Sequence, residues 1–284
     1  MKHNINIFCN NERVGIIEID LNSNNVELIY DENWKNIGFE LSPHLKFDKS
    51  IDSNSIKKFV NNLLPEGNGL DAISIILQIS KANKFGLLEA IGNETAGALT
   101  FSPDNIVVTN FREISNEELT ERTRNKENIN ITLWDGKIRL SLSGVQDKLP
   151  LVVLKDNKYG IGEGKIASTH ILKFEKKDDI HLVLNEYFCM KLAKLCGLNV
   201  AEVEIRKFGT QNVLFVKRFD REFFEIDDKS FEISKRHIID GCQLLNLDVN
   251  MKYEKVYTDY RGNANFKNLF ESSKLTTNKI LTKL

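Results

Sequence analysis

The 284-residue chain carries 39 Lys and Arg against 40 Asp and Glu, a formal net charge of -1, and 41% of its residues are hydrophobic. That length can bury the core of one large or two ordinary domains, and the apolar fraction excludes a disordered chain. The even charge lacks the basic footprint of nonspecific nucleic-acid binding, and no run approaches the roughly 18 apolar residues of a membrane helix.

Met1-Lys2-His3-Asn4 leads into a run too short and too polar for a secretory signal, so a cytoplasmic protein with no membrane contact is expected. Asn4 to Phe8, Arg13 to Asp20 and Val26 to Tyr30 are rich in Ile and Val and separated by Asn-rich turns, which predicts a small antiparallel sheet. Ile56, Phe59, Val60, Leu63 and Leu64 follow helical spacing, with Ser53 as the expected cap and Pro65-Glu66-Gly67 as the stop. Leu70 to Ala82 and Phe85 to Ile91 read as two further helices, and Ala96 to Phe101 as a returning strand.

Residues 103–130 are polar and mixed in charge, with Ser115-Asn116-Glu117-Glu118 as a capping box for one short helix, so a domain boundary falls here. Beyond it, Ile138 to Leu142, Leu149 to Lys155 and Ile166 to Phe174 read as strands. An amphipathic helix follows, capped by Asn185, with Phe188, Leu192 and Leu195 as its core face and Gly197 as a left-handed terminator. Gly160-Ile161-Gly162-Glu163-Gly164-Lys165 lacks the helix that would offer a phosphate its N-terminus, and reads as a hairpin end. Val200 to Lys207 and Val213 to Arg218 read as a strand pair, and His237 to Leu247 and Phe266 to Phe270 as helices.

Chemistry concentrates around residues 139–150. In Arg139-Leu140-Ser141-Leu142-Ser143-Gly144-Val145-Gln146-Asp147-Lys148-Leu149-Pro150, small hydroxylated residues and a glycine let backbone N–H groups approach an anion, and Lys148 adds a compact charge. Taken alone, the stretch fits a polar turn before a buried strand equally well. Lys173 interrupts an apolar strand and needs a partner, or else reaches solvent at the strand end. Glu186 lies near the start of the next helix, where a carboxylate either complements the helix dipole or pairs with that lysine. Loop, strand lysine and helix glutamate follow one another in the order by which kinase small lobes hold ATP phosphates. His170 and His237 sit in apolar runs and read as structural. Cys9, Cys189, Cys196 and Cys242 show neither metal-ligand nor disulfide spacing, and Cys189 and Cys196 read as small packing residues.

With Val216-Lys217-Arg218-Phe219-Asp220-Arg221, with His237 to Asn246, and with Asn61 to Gly67 and Leu87 to Leu99 upstream, these blocks resemble the HipA family of bacterial serine/threonine protein kinases. The family supplies the toxins of toxin–antitoxin pairs. The resemblance implies an α+β fold: an N-terminal subdomain over 1–105, a linker with a short helix over 106–130, a kinase-like small lobe over 131–222, and the start of a helical large lobe over 223–284, cut short. It implies ATP and Mg²⁺ as cofactors, with Lys148, Lys173, Glu186, Phe219 and Asp220 as the nucleotide-binding residues. Phe219 and Asp220 would form the hinge beside adenine, where a core aromatic and a turn carboxylate paired with Arg221 or Arg218 are the plainer readings, and Ser141 and Ser143 would be the autophosphorylated serines. The implied partners are a HipB-type helix-turn-helix antitoxin, DNA only through that antitoxin, and a protein substrate, for which glutamyl-tRNA synthetase is the family example.

The family draws its catalytic carboxylate from an Asp-x-His-x-Lys-Asn loop and its metal ligand from a Tyr-Asp after a proline. Neither occurs here, and the last of the four prolines is Pro150. No catalytic or metal-binding residue is therefore assigned, and the expectation is a HipA-like kinase that is inactive or incomplete as this chain. Two alternatives stand beside it. One is the working half of a split kinase, with a separate C-terminal lobe docking near Leu269, Phe270 and Leu281. The other is a non-catalytic module that binds the antitoxin.

Overall fold

The computed structural model describes residues 1–105, 109–139, 147–154, 158–175, 181–227, 230–252 and 264–273. In the first unit, β1 (Lys2–Cys9), β2 (Glu12–Asp20) and β3 (Asn25–Tyr30) are the expected antiparallel strands. Asn10 and Asn11 make the β1–β2 turn at positive φ, 48° and 77°, which asparagine tolerates because its short amide can bond locally. After α1 (Glu32–Ile37), α2 (Ser53–Asn61), α3 (Gly67–Leu77) and α4 (Lys84–Ile91), strand β4 (Leu99–Ser102) pairs with β1 and completes the order β3-β2-β1-β4. Ile56, Phe59 and Val60 bury the predicted face of α2. Its cap is Asp52, which accepts from the Ser55 N–H, whereas the Ser53 hydroxyl accepts from Val26 N–H at the edge of β3.

The second unit holds β5 (Asn110–Ile114), α5 (Asn116–Arg124), β6 (Leu133–Trp134), β7 (Lys137–Ile138), β8 (Lys148–Val153), β9 (Tyr159–Glu163), β10 (His170–Phe174), α6 (Leu182–Leu195), β11 (Val203–Phe208) and β12 (Gln211–Lys217). Six of these strands form one antiparallel sheet, ordered β11-β12-β10-β8-β9-β5. The linker expected over 106–130 is thus corrected at its centre, because β5 pairs with β9 from Asn110↔Glu163 to Ile114↔Tyr159. With only Phe111 and Ile114 apolar among its five residues, this edge strand has too weak an alternation to show in sequence. Ser115 caps α5 as expected, accepting from Glu118 N–H. Gly162 is required where it stands, since a Cβ there would lie 1.8 Å from the Ile166 carbonyl oxygen.

Leu149, Leu151, Leu172, Phe174, Val213 and Phe215 fill one face of this sheet together with Leu119 of α5 and Trp134. The other face meets α6 through Val183, Tyr187 and Met190 against Val203, Leu214 and Val216. This corrects the expected packing of α6. Phe188, Leu192 and Leu195 are 63%, 49% and 85% exposed, and Cys189 and Cys196 are exposed as well. The helix carries two apolar stripes, and periodicity alone cannot rank them. Its start also lies earlier than Asn185: His181 occupies the cap position at φ 70°, and the Glu175 carboxylate accepts from Leu182 and Val183 N–H. Gly197, at φ 82°, ends the helix region as predicted.

A second correction concerns 223–284, expected to be the start of a helical large lobe. Residues 221–235 instead form a hairpin of β13 (Arg221–Asp227) and β14 (Ser230–Lys235). The helix expected over His237 to Leu247 is only α7 (Gly241–Leu245), opened by an Asp240–Gln243 capping box, and α8 (Phe266–Ser273) follows. Leu281 lies outside the described residues. Among the described residues no helix is long and apolar enough to cross a membrane.

A buried charge cluster joins the units. Arg218 donates through Nε and Nη2 to the two oxygens of Asp220 at 2.9 and 2.7 Å, and Arg221 Nη1 donates to Asp220 Oδ2 at 2.7 Å. From the first unit, Gly97 N–H donates to the same oxygen at 3.0 Å, and Glu94 accepts from Ser168 N–H at 2.8 Å and from Arg218 Nη1 at 3.4 Å. Burial alone would raise the Asp220 carboxyl, but the two arginines and the Gly97 N–H outweigh it and hold the group below its ordinary value. Replacing Asp220 by Ala leaves two buried guanidinium groups with Glu94 as their one carboxylate among the described residues, beside the neutral acceptors Ser168 Oγ, Thr95 O and Gly97 O. We predict a loss of about 3–5 kcal/mol in urea unfolding; a loss below about 1 kcal/mol would show that the arginines find other partners.

Candidate functional site

β8 and β10 pair so that Lys148 stands directly opposite Lys173. Both side chains leave the face opposite the Leu149–Leu172 core, because neighbouring residues on a strand alternate between faces. That is the face on which α6 lies, and Glu186 of α6 accepts from Lys173 Nζ at 2.5 Å. The early start of α6 puts Glu186 in the second turn, where the helix dipole gives it little. Its position is therefore explained by the lysine and not by the helix end.

Two ammonium groups placed side by side repel each other, and here one of them is buried. Lys148 is 8% exposed, and its pKa is pushed down to about 8, first by burial and then by Lys173 and Lys252, with Glu66 and Glu186 acting in the opposite direction. Glu66, from the first unit, forms an ion pair with Lys252 at 2.7 Å. Sequence reading gave no role to Glu66 or Lys252, although Glu66 lies in the quoted block Asn61 to Gly67 and could have been singled out there.

The other assigned residues separate. Asp220 has both carboxylate oxygens engaged by Arg218, Arg221 and Gly97, so its side chain is a structural tie and not a ligand-facing group. Phe219 follows β12 and is 67% exposed, free of the core role that would have explained it otherwise. Ser141 and Ser143 lie outside the described residues. His237 donates from Nε2 to Leu41 O at 2.9 Å and stacks on Phe39, and His170 shares a hydrogen bond with Thr169 at 2.8 Å, contacts that fit the structural reading of both. Among the described residues no group of three or more His, Cys, Asp or Glu could hold a metal ion.

Sheet, facing lysines and ion-paired helix define a kinase-like small lobe behind an N-terminal subdomain. Residues 5–102 match the family profile described as the HipA N-terminal domain, and residues 140–281 match the HipA-like C-terminal domain. The chain is 38% identical over 278 residues to the serine/threonine-protein kinase toxin HipA of Shewanella oneidensis, covering 95% of this chain and 63% of that protein. It is 28% identical over 281 residues to the putative kinase Y4mE of Sinorhizobium fredii, covering 94% and 64%. Among solved structures, the complex of Shewanella oneidensis HipA with HipB and its operator DNA aligns with a TM-score of 0.82 at 38% identity, over 98% of this chain and 66% of that one. This chain belongs to the HipA family. It spans 63% and 64% of the lengths of the two relatives.

The depressed Lys148 pKa has a consequence for stability. An unfolded lysine titrates near 10.5 and the folded one at about 8, so between these values the unfolded state binds the extra proton. The cost of burying the charged form is therefore fully present below pH 8 and is relieved as pH rises. Relative to Lys148→Met, the wild type should gain about 2 kcal/mol between pH 7 and pH 10 in urea unfolding. A pH-independent difference between the two proteins would contradict this assignment.

Proposed function

We propose that this chain forms the nucleotide-gripping part of a HipA-like serine/threonine kinase, the toxin of a toxin–antitoxin pair, and that Lys148 and Lys173 bind the phosphates of ATP. The observation that carries the reading is the placement of two lysines opposite each other on β8 and β10, one buried and one tied to Glu186. Phosphate oxygens between two such cations would relieve their repulsion in a partly dry site. Glu186 holds the Lys173 ammonium in place, so that little side-chain freedom is lost when a phosphate arrives. Ser141 and Ser143 follow as acceptors of a regulatory phosphate, which would bring about two negative charges to the segment just before Lys148. The described residues supply no carboxylate set for Mg²⁺, and the phosphate contacts are assigned to the lysines alone.

The family relationship extends the proposal to partners: a HipB-type antitoxin, operator DNA through that antitoxin, and a protein serine as phosphate acceptor. It rests on the likeness to the solved HipA–HipB–DNA complex. The 284 residues contain no Asp-x-His-x-Lys-Asn segment, so by themselves they grip the nucleotide without transferring its phosphate. Titration with ATP and Mg²⁺, followed by thermal shift, tests the grip. Lys173→Ala is expected to weaken binding about 10- to 100-fold, the cost of one charged hydrogen bond. Equal affinity in the two proteins would refute the assignment, and labelled phosphate incorporated by the purified chain would refute the statement on transfer.

A second reading is favoured by the outer stripe of α6, where Leu184, Phe188, Leu192 and Leu195 are 40% to 85% exposed. An apolar strip of this kind suits a chain that works as one half of a pair and receives a separate C-terminal lobe. Co-expression with the C-terminal third of the Shewanella relative should give a complex that Phe188→Asp abolishes. Independent purification of the two pieces would exclude this reading.

A further inference from the structure

A cavity of about 250 Å³ lies where the N-terminal subdomain, the second sheet and the β13–β14 hairpin meet, with Ile91 and Glu94, Arg139 and Glu163, and Lys235 in its walls. The charges around it do not balance. Arg139, Arg218, Arg221 and Lys235 are buried cations, with side chains of the three arginines 14%, 2% and 2% exposed and Lys235 6% exposed. The carboxylates that meet these cations among the described residues are Glu94, Asp220 and Glu163. Glu94 and Asp220 are shared by Arg218 and Arg221, and Glu163 accepts from Arg139 at 2.5 Å. Lys137 also reaches Glu163, but its side chain is 60% exposed and its charge is met by solvent.

Lys235 is left with one hydroxyl, donating to Thr100 Oγ1 at 2.9 Å. Burial and the neighbouring Arg221 push its pKa down to about 8, still protonated at neutral pH, and Cys9 beside it is held neutral by burial, its pKa raised to about 11. Arg139 Nε is a buried donor without a hydrogen-bond partner. Among the described residues, an unsatisfied donor and one surplus positive charge beside a partly open cavity fit an acceptor that is itself negative.

We infer that this cavity binds a small organic monoanion, a carboxylate on a short apolar body. The carboxylate supplies the missing charge and an acceptor for the Arg139 and Lys235 donors. The apolar walls, among them Ile91, Ile138 and Ala167, exclude water from its hydrocarbon part. Binding there connects the N-terminal subdomain, through Ile91 and Glu94, to Arg139 and Glu163 of the second unit.

Butyrate is the probe, with chloride at equal concentration as the control, read by thermal shift and by calorimetry on the full chain. Butyrate should give a saturable rise in melting temperature that chloride does not reproduce. Arg139→Met and Lys235→Met should each weaken it at least tenfold, and Lys235→Met should melt no lower than wild type without ligand, because the surplus charge is gone. Lys173→Ala should keep the full butyrate response, and Lys235→Met should keep the ATP response. No saturable shift, an undiminished shift in Lys235→Met, or an unfolded Lys235→Met protein would each overturn the inference. Loss of the butyrate response in Lys173→Ala would place the anion at the nucleotide site, and would sink this inference while leaving the ATP proposal standing.

Discussion

Asp220 ties the short link between the second sheet and the hairpin to an N-terminal subdomain that is remote from it in sequence. Its carboxylate accepts from Arg218 at the end of the second sheet, from Arg221 at the start of the hairpin, and from the backbone of Gly97 in the N-terminal subdomain. Buried charges tolerate few arrangements, because each unmatched one costs several kcal/mol in a medium that cannot solvate it. The angle between subdomain and sheet is therefore fixed more firmly by this cluster than apolar contact alone would fix it. Gly97 takes part because its φ of 77° and its approach to Ile238, where a Cβ would lie 2.9 Å from the backbone, exclude a side chain.

The same constraint acts on the opposed lysines. A strand pair that sets Lys148 against Lys173 is unfavourable unless anions stand near, and the fold provides Glu186 from α6 and Glu66 from the first unit. One carboxylate stands on a helix laid over the sheet and the other in the first unit, where it pairs with Lys252. Two cations set side by side form a place where a phosphate lowers their repulsion, which is why strand register, more than any single residue, supports the proposed nucleotide grip.

α6 shows how one helix serves two demands. Val183, Tyr187 and Met190 bury it against β11 and β12 and so aim Glu186 at Lys173. Its other stripe stays exposed. A contiguous exposed stripe of this kind marks a contact surface more often than an accident of composition. The helix thus links the geometry of the site to its own outer face.

Much of this was legible along the chain. The Ile- and Val-rich strands, the buried face of α2, the Ser115 cap, the Gly197 terminator and the order loop, lysine, glutamate are local patterns, and local patterns are fixed by side-chain type and spacing. The family resemblance assembled them into an architecture and marked Lys148, Lys173 and Glu186. What the sequence could not decide was which partner each group takes. Strand β5 has too few apolar residues to announce itself, both stripes of α6 have the same period, and the hairpin after Arg221 is anchored by contacts remote in sequence, from Lys165 and Asn10. Asp220 could not be told from a ligand-facing carboxylate, nor Lys235 from an ordinary surface lysine, because burial and charge balance depend on residues more than a hundred positions away. Composition and spacing set the elements; only tertiary packing assigned the charges their neighbours, since an ion pair is a property of distance in space and not of distance along the chain.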